Sequence, residues 1–400
     1  MLPILFLLHQ HTPCATLVCP PSLSSDAFLV SQAANPVYQS PITITKGGTY
    51  SGNWQSLDPN VPAVTITTSD PVVIKNSRVR GRSDLIRASN GNANLTINNT
   101  YGYGLNPNVA GQSAGRFLSA WQPTSIVVTN CYIESVGGIY LDSHWWTTQN
   151  VQIRYNRAHN IDGRASDGNG GYGTGYTWLQ FAQLNNVQNV PGIDISWNEV
   201  INDPYNSRSE DNINIYESSG TSSSPIRIHD NYIQGAYPAN PAQDSYSGGG
   251  ILLGDGDAST VSGAAGFVRA YNNQIVGTSN YGIAVVAGHD NQFYNNRIIS
   301  SGLLPDGTHI ASANVGAFVW DEYSNISKGT FFKNWAHDNT IGWIKADGAR
   351  NDTWFQDCTS GKCTNNASLP DPINLDTEKA EYQIWLHKVS SHNVKIGPNF

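Results

Sequence analysis

The sequence predicts an all-β solenoid, and three observations carry that prediction. Among 400 residues there are 38 Gly, 19 Tyr, 11 Trp and 1 Met, with 13% charged residues. Gly, Asn, Thr and aromatics favour turns and strands over helices, and no long Leu/Ala/Glu/Lys segment is apparent. Short β-branched or aromatic runs ending in Asn recur along the chain. A second set of alternating strands interleaves with the first, and no helix-period signal separates the two.

The chain begins with an apolar run, Met1-Leu2-Pro3-Ile4-Leu5-Phe6-Leu7-Leu8, followed by a Pro/Ser/Cys-rich stretch to about Ser31. Residues 1–31 read as a signal peptide and leader, although no Lys or Arg precedes the apolar run. Residues 32–400 then form one secreted domain with its terminal caps. No later stretch has the ~18 uninterrupted apolar residues of a membrane helix.

Ile42-Thr43-Ile44-Thr45 and Val64-Thr65-Ile66-Thr67 alternate with the period of a strand. The Asn-terminated runs follow, ending at Asn76, Asn99, Asn130, Asn156, Asn198, Asn231, Asn273, Asn296 and Asn334. Their spacings run from 23 to 42 residues. A unit of fixed minimum length with variable insertions is a solenoid signature, the excess lying in loops. Asn suits a sharp bend because its short amide tolerates left-handed backbone, and stacked amides can bond along a column. The second column comprises residues 138–142, 177–181, 212–216, 250–254, 282–286, 316–320 and 342–346. Two-residue Asn-Gly hairpins do not join these runs, so a meander is not expected.

The net charge of -8 without clustered basic residues argues against a nucleic-acid partner. Of five Cys, Cys14 and Cys19 fall in the leader and Cys131 reads as a buried thiol. Cys358 and Cys363 flank a four-residue turn and can pair in an oxidising compartment. Zinc-ligand spacing is absent. Five glycosylation sequons begin at Asn94, Asn98, Asn325, Asn351 and Asn366.

The two interleaved columns resemble the right-handed parallel β-helix of the pectate-lyase and polygalacturonase superfamilies, over about residues 40–400 and roughly nine to eleven coils. That resemblance implies a single-stranded parallel solenoid with long loops on one side. The fold hosts lyases, hydrolases, epimerases and tailspikes, so it does not choose the reaction. Polygalacturonase-like hydrolases carry an acidic pair just before an alternating strand. Glu210-Asp211-Asn212-Ile213-Asn214-Ile215 is similar in place and pattern. By this resemblance Asp211 is a general acid and Glu210 a partner that positions water. The sequence departs from the family at the next coil, where Ser247-Gly248-Gly249-Gly250 replaces Gly-His-Gly. The Arg-Ile-Lys motif and the upstream Asn-Thr-Asp are also missing.

Aligning the second column on its Gly or Asn points Ile139/Leu141, Ile213/Ile215, Ile251/Leu253, Ile283/Val285 and Ala317/Val319 inward. One residue past the strands come Glu217, Asp255, Asp321 and Asp347. Parallel strands lie ~4.8 Å apart, so Glu217 and Asp255 are expected on adjacent coils, with Asp321 and Asp347 a second pair. Paired carboxylates can split protons as acid and base or nucleophile. They can also hold Ca²⁺, or be solvated turn acids beside glycine.

Candidate substrate contacts are Arg208, His144, Trp145, Trp146, Tyr216, His289 and Trp320. Exposed indoles stack on sugar faces, Arg208 can orient the acids or bind a substrate carboxylate, and His289 can shuttle a proton. The Gly-rich stretch 162–176 reads as a cleft wall. It lacks the Lys-Ser/Thr of a phosphate loop, so nucleotide chemistry is not expected.

The expected activity is cleavage of glycosidic bonds in a polysaccharide or oligosaccharide by carboxylate acid/base hydrolysis, through Glu210, Asp211, Glu217 and Asp255. It requires no cofactor. The alternatives are a polysaccharide lyase, for which Ca²⁺ is the expected aid and Arg208, His144 and Lys345 the candidate residues, and a non-catalytic glycan-binding β-helix.

Overall fold

A computed structural model describes residues 36–143, 148–245 and 248–399. The expected leader 1–31 and the candidates His144, Trp145 and Trp146 lie outside the described residues. Residues Tyr38–Phe400 form one compact unit. It is all-β and built from large parallel sheets.

An eleven-stranded sheet takes its strands in chain order, from Ile42–Ile44 through Asp211–Tyr216, Gly249–Asp255, Tyr281–Val285 and Val315–Val319 to Thr353–Trp354. Every neighbouring pair is parallel. Between visits to this sheet the chain contributes strands to a second, nineteen-stranded sheet. Alternation explains the arrangement. Ile213 and Ile215 register with Ala182 and Leu184 on one side, and Ile213 with Ile251 on the other. All five expected inward pairs are buried, and all belong to one continuous apolar core.

The corner between successive strands of the larger sheet has a strict grammar. Tyr155, Trp197, Asp230, Asn272, Asn295 and Asp338 have φ between 52° and 59°. Each is followed by a buried Asn: Asn156, Asn198, Asn231, Asn273, Asn296 and Asn339. Those side chains bond in series, each Nδ2 donating to the next Oδ1 at 2.8–3.0 Å, ending on Asn366. A buried amide left unpaired costs free energy, and the ladder pairs each with its neighbours. The left-handed bend and the stacked amide are thus adjacent residues rather than one. Asn76, Asn99 and Asn130 occupy the bend itself.

Three expectations about elements are corrected. Residues 177–181 precede their strand, which is Ala182–Asn185. Residues 342–346 do not continue the eleven-stranded sheet: the strand Thr340–Trp343 belongs to the larger one, and Thr353–Trp354 takes the expected place. Both sheets have one face in the core, so a period of two does not distinguish them. Asn334 stands at another corner, where its Oδ1 accepts from Asn291 N, and Asn339 takes the ladder position.

The helix Leu375–Ser391 was not foreseen. Asn374 caps it, with Thr377 returning a bond to the cap. Its buried face lies on the larger sheet, where Trp385 Nε1 donates to Glu199 Oε2 at 2.9 Å and Glu381 pairs with Arg297. Cys358 and Cys363 form a disulfide, and Cys131 is a buried free thiol whose pKa burial pushes up to about 12.

Candidate functional site

The outward face of the eleven-stranded sheet carries one register row: Tyr140, Gln183, Asn214, Leu252, Ala284, Phe318 and Trp354. Six strand spacings separate its ends, roughly 29 Å at ~4.8 Å each. A cleft of about 640 Å³ lies over this row. The long axis of the cleft therefore follows the stacking direction of the strands.

Its centre is Asn214, 4% exposed. Asn214 Nδ2 donates to Asp211 Oδ2 and to Asp255 Oδ2, both at 3.0 Å. The two acceptor oxygens therefore lie within about 6 Å of each other, twice 3.0 Å. Asp255 Oδ1 also accepts from Tyr323 OH and from Gly256 N, each at 2.8 Å. Asp211 Oδ1 accepts a hydrogen bond from Tyr281 OH. Asp211, Gly249 and Tyr281 share one register row. A Cβ at Gly249 would strike both the Asp211 carboxylate and the Tyr281 ring, so glycine there lets the tyrosine reach across a strand.

The electrostatics separate the acids. Burial pushes the Asp211 carboxyl up to about 7, helped by the charge of Glu210 and, less, of Asp255. Its bonds from Tyr281 and Asn214 oppose the rise. Burial and the charge of Asp255 also raise Glu322. Glu210 is held by Arg208, with Nη2 3.2 Å from Oε2. Arg208 is itself buried, its guanidinium 3.5 Å from the centre of the Tyr176 ring. Aromatic groups wall the cleft: Trp178, 63% exposed, and the neighbouring pair Trp320 and Trp354, whose rings are 5.2 Å apart.

Of the sequence candidates, the cleft is lined by Glu210, Asp211, Asp255, Tyr216 and Trp320. Arg208 stands behind Glu210 as its ionic partner. Glu217 is placed apart from the cleft lining. It does neighbour Asp255 through the backbone, N to O at 3.0 Å, but its side chain is not part of the cleft lining. The register shifts between Asn214 and Tyr216, so Tyr216 stands opposite Asp255 and Glu217 turns the corner at φ 40°. The carboxyl that meets Asp255 through Asn214 is Asp211.

His289 is likewise placed elsewhere. It is buried, stacked on Phe332 and edge-on to Phe267, with its nitrogens bonded to Asp290 and the Val261 carbonyl, away from the cleft lining. Asp321 and Asp347 form no pair. Asp321 accepts from the Asn325 and Ile326 amides, and Asp347 binds Lys345 in a turn after the larger sheet.

The residues that sequence reasoning did not single out are Asn214 as a bridge, Tyr281, Tyr323, Glu322, Trp178 and Trp354. The signal for Tyr281 was present: a Gly opposite Asp211 on the next strand, then a Tyr on the one after. The stretch 162–176 contains an antiparallel hairpin, Arg164–Ser166 with Tyr172–Tyr176. Tyr176 lies on Arg208, which places the hairpin behind the Arg208–Glu210 pair. Among the described residues, no three His, Cys, Asp or Glu side chains gather as a metal-ligand set.

Compared with protein families, curated proteins and solved structures, the chain matches no family model, no curated protein and no solved structure.

Proposed function

We propose that this chain is a secreted parallel β-helix enzyme that hydrolyses glycosidic bonds of a polysaccharide lying along the cleft. The observation that carries this is the Asp211–Asn214–Asp255 bridge in a long, aromatic-walled groove. Asp211 has the properties of a general acid: buried, raised to about 7, and able to hold its proton at mildly acidic pH. In the proposed step it gives that proton to the glycosidic oxygen as the bond to the sugar carbon breaks. Asp255 supports the electron-poor sugar carbon from within about 6 Å of Asp211. That separation falls short of the ~6.5–9.5 Å left for a water between inverting carboxyls and supports direct attack by Asp255, followed by hydrolysis of the glycosyl-enzyme. Asn214 positions both acids.

Export is supported by the apolar leader and by the disulfide. Successive coils in chain order support the β-helix reading. The test is to purify Asp211→Asn and Asp255→Asn and screen them beside the parent against plant, algal and microbial polysaccharides. Both variants should fold as the parent does and lose about 10²–10⁴-fold in turnover. Full turnover in either removes that residue from the mechanism.

A further inference from the structure

The charged groups of the cleft are unevenly divided between anions and cations, and that division restricts the sugar. Four carboxyl groups line it: Glu210, Asp211, Asp255 and Glu322. Among the described lining residues one cation appears, Arg116. Its guanidinium lies 4.3 Å from the centre of the Tyr140 ring, and its strand is three strand spacings from that of Asp211. That places its strand roughly 14 Å along the groove from the reacting centre, with the guanidinium leaning over Tyr140 on the adjacent strand. Arg208, nearer in sequence, faces Glu210 and Tyr176.

Two further acceptors are buried in the cleft wall without a hydrogen-bond partner among the described residues, Gln180 Oε1 and Asn214 Oδ1. A buried acceptor left unpaired costs about 1–3 kcal/mol, and an arriving donor recovers it. Sugar hydroxyls are donors. A uronate carboxylate is an acceptor only, and beside these acids it meets like charge without a cation to balance it.

We propose that the groove binds an uncharged polysaccharide, whose hydroxyls donate to Asn214 and Gln180, and rejects polyuronates at the central subsites. This rests on the groove being the saccharide site. It extends that reading to the class of polymer. Like-charge juxtaposition supplies the discrimination, and Coulomb repulsion at these separations weakens with salt.

The test is affinity electrophoresis of the full chain in gels containing matched polymers. The pairs are polygalacturonate and its carboxyl-reduced form, alginate and its carboxyl-reduced form, and carboxymethylcellulose and hydroxyethylcellulose. At low salt at least one uncharged member should retard the protein, with a dissociation constant at least about tenfold below that of its acidic partner. The gap should narrow at high salt. Glu322→Gln should reduce the discrimination about three- to tenfold, and Gln180→Leu should weaken binding of the uncharged polymer by a similar factor. Equal or tighter binding of the acidic member, or retardation by no polymer, overturns the proposal. Binding is read apart from turnover. A preference for the uncharged member without product therefore sinks the hydrolytic reading alone, whereas cleavage of an acidic polymer it binds more tightly sinks this one alone.

Discussion

Replacing Glu210 by Gln should lower the alkaline limit of activity by about one pH unit. In the proposed reaction Asp211 must be protonated to donate, so its raised value of about 7 should set the pH above which activity fails. Burial is the largest cause of that value and the negative charge of Glu210 the next. Two carboxylate charges on adjacent residues, taken as ~7 Å apart in an effective dielectric of ~20–40, repel by about 1–2 kcal/mol by Coulomb's law. At ~1.4 kcal/mol per pH unit this is about one unit. Arg208, released from its 3.2 Å contact with Glu210, acts in the same direction, because a nearby cation favours the ionised Asp211.

The assay is the pH profile of kcat/KM from about pH 4 to 9 on a polysaccharide that the parent cleaves. An alkaline limb that stays where the parent's lies, or moves upward, refutes Asp211 as the acid or Glu210 as its neighbour. Stability gives an independent reading. The folded value of Asp211 lies above the ordinary 3.8, so the native protein keeps a proton that the unfolded chain releases. That contribution is fully present below about pH 3.8 and is lost as pH rises through about 7. Glu210→Gln should move the end of this decline to lower pH in thermal melts.

Other consequences follow from the walls, the ladder and the helix. Trp354→Ala should raise KM about tenfold while kcat changes little, since the indole lies off the reacting centre; a matching fall in kcat would contradict its place as a subsite wall. Asn231→Ala removes bonds to Asn273 Oδ1 and the Ile195 carbonyl and leaves the Asn198 amides without their acceptor, so it should cost about 3 kcal/mol or more in denaturant unfolding. A cost under ~1 kcal/mol would contradict the ladder's structural weight. Trp385→Ala should cost about 3–5 kcal/mol and open the segment after residue 375 to limited proteolysis; an unchanged digestion pattern would count against helix docking through this residue. Direct attack by Asp255 predicts products that keep the anomeric configuration of the substrate when followed by NMR, and inversion would replace it with water activation.

The repeat and the inward set were legible because both sheets keep one face in the core and a strand's period of two survives any insertion. Ile213, Ile215, Ile251 and Leu253 needed only alternation. The sheet to which a strand belongs was not legible: residues 342–346 alternate as residues 316–320 do, yet hydrogen bonds put Thr340–Trp343 in the larger sheet. Glu217 and Asp255 were paired by counting along equal strands. One irregularity between Asn214 and Tyr216 set Tyr216 opposite Asp255 and left Glu217 at the corner, while Asp211, ahead of it, keeps its register with Gly249. The helix Leu375–Ser391 is short of Leu and Ala, and its stability comes from Trp385, Glu381 and a capping box, which composition does not weigh. Tyr281 and Tyr323 reach the acids across strands and loops 70 and 68 residues distant, contacts that no local pattern encodes.

The central claim is hydrolysis driven by a proton from Asp211. Its most direct test is the mass of the products formed in water enriched in heavy oxygen, with the parent and with Asp211→Asn. The account predicts that each cut by the parent places one heavy oxygen at the new reducing end, with no unsaturated product, and that Asp211→Asn forms products at least a hundredfold more slowly. Unlabelled, ultraviolet-absorbing products would show elimination instead, and labelled products at the parent's rate from Asp211→Asn would contradict Asp211 as the acid.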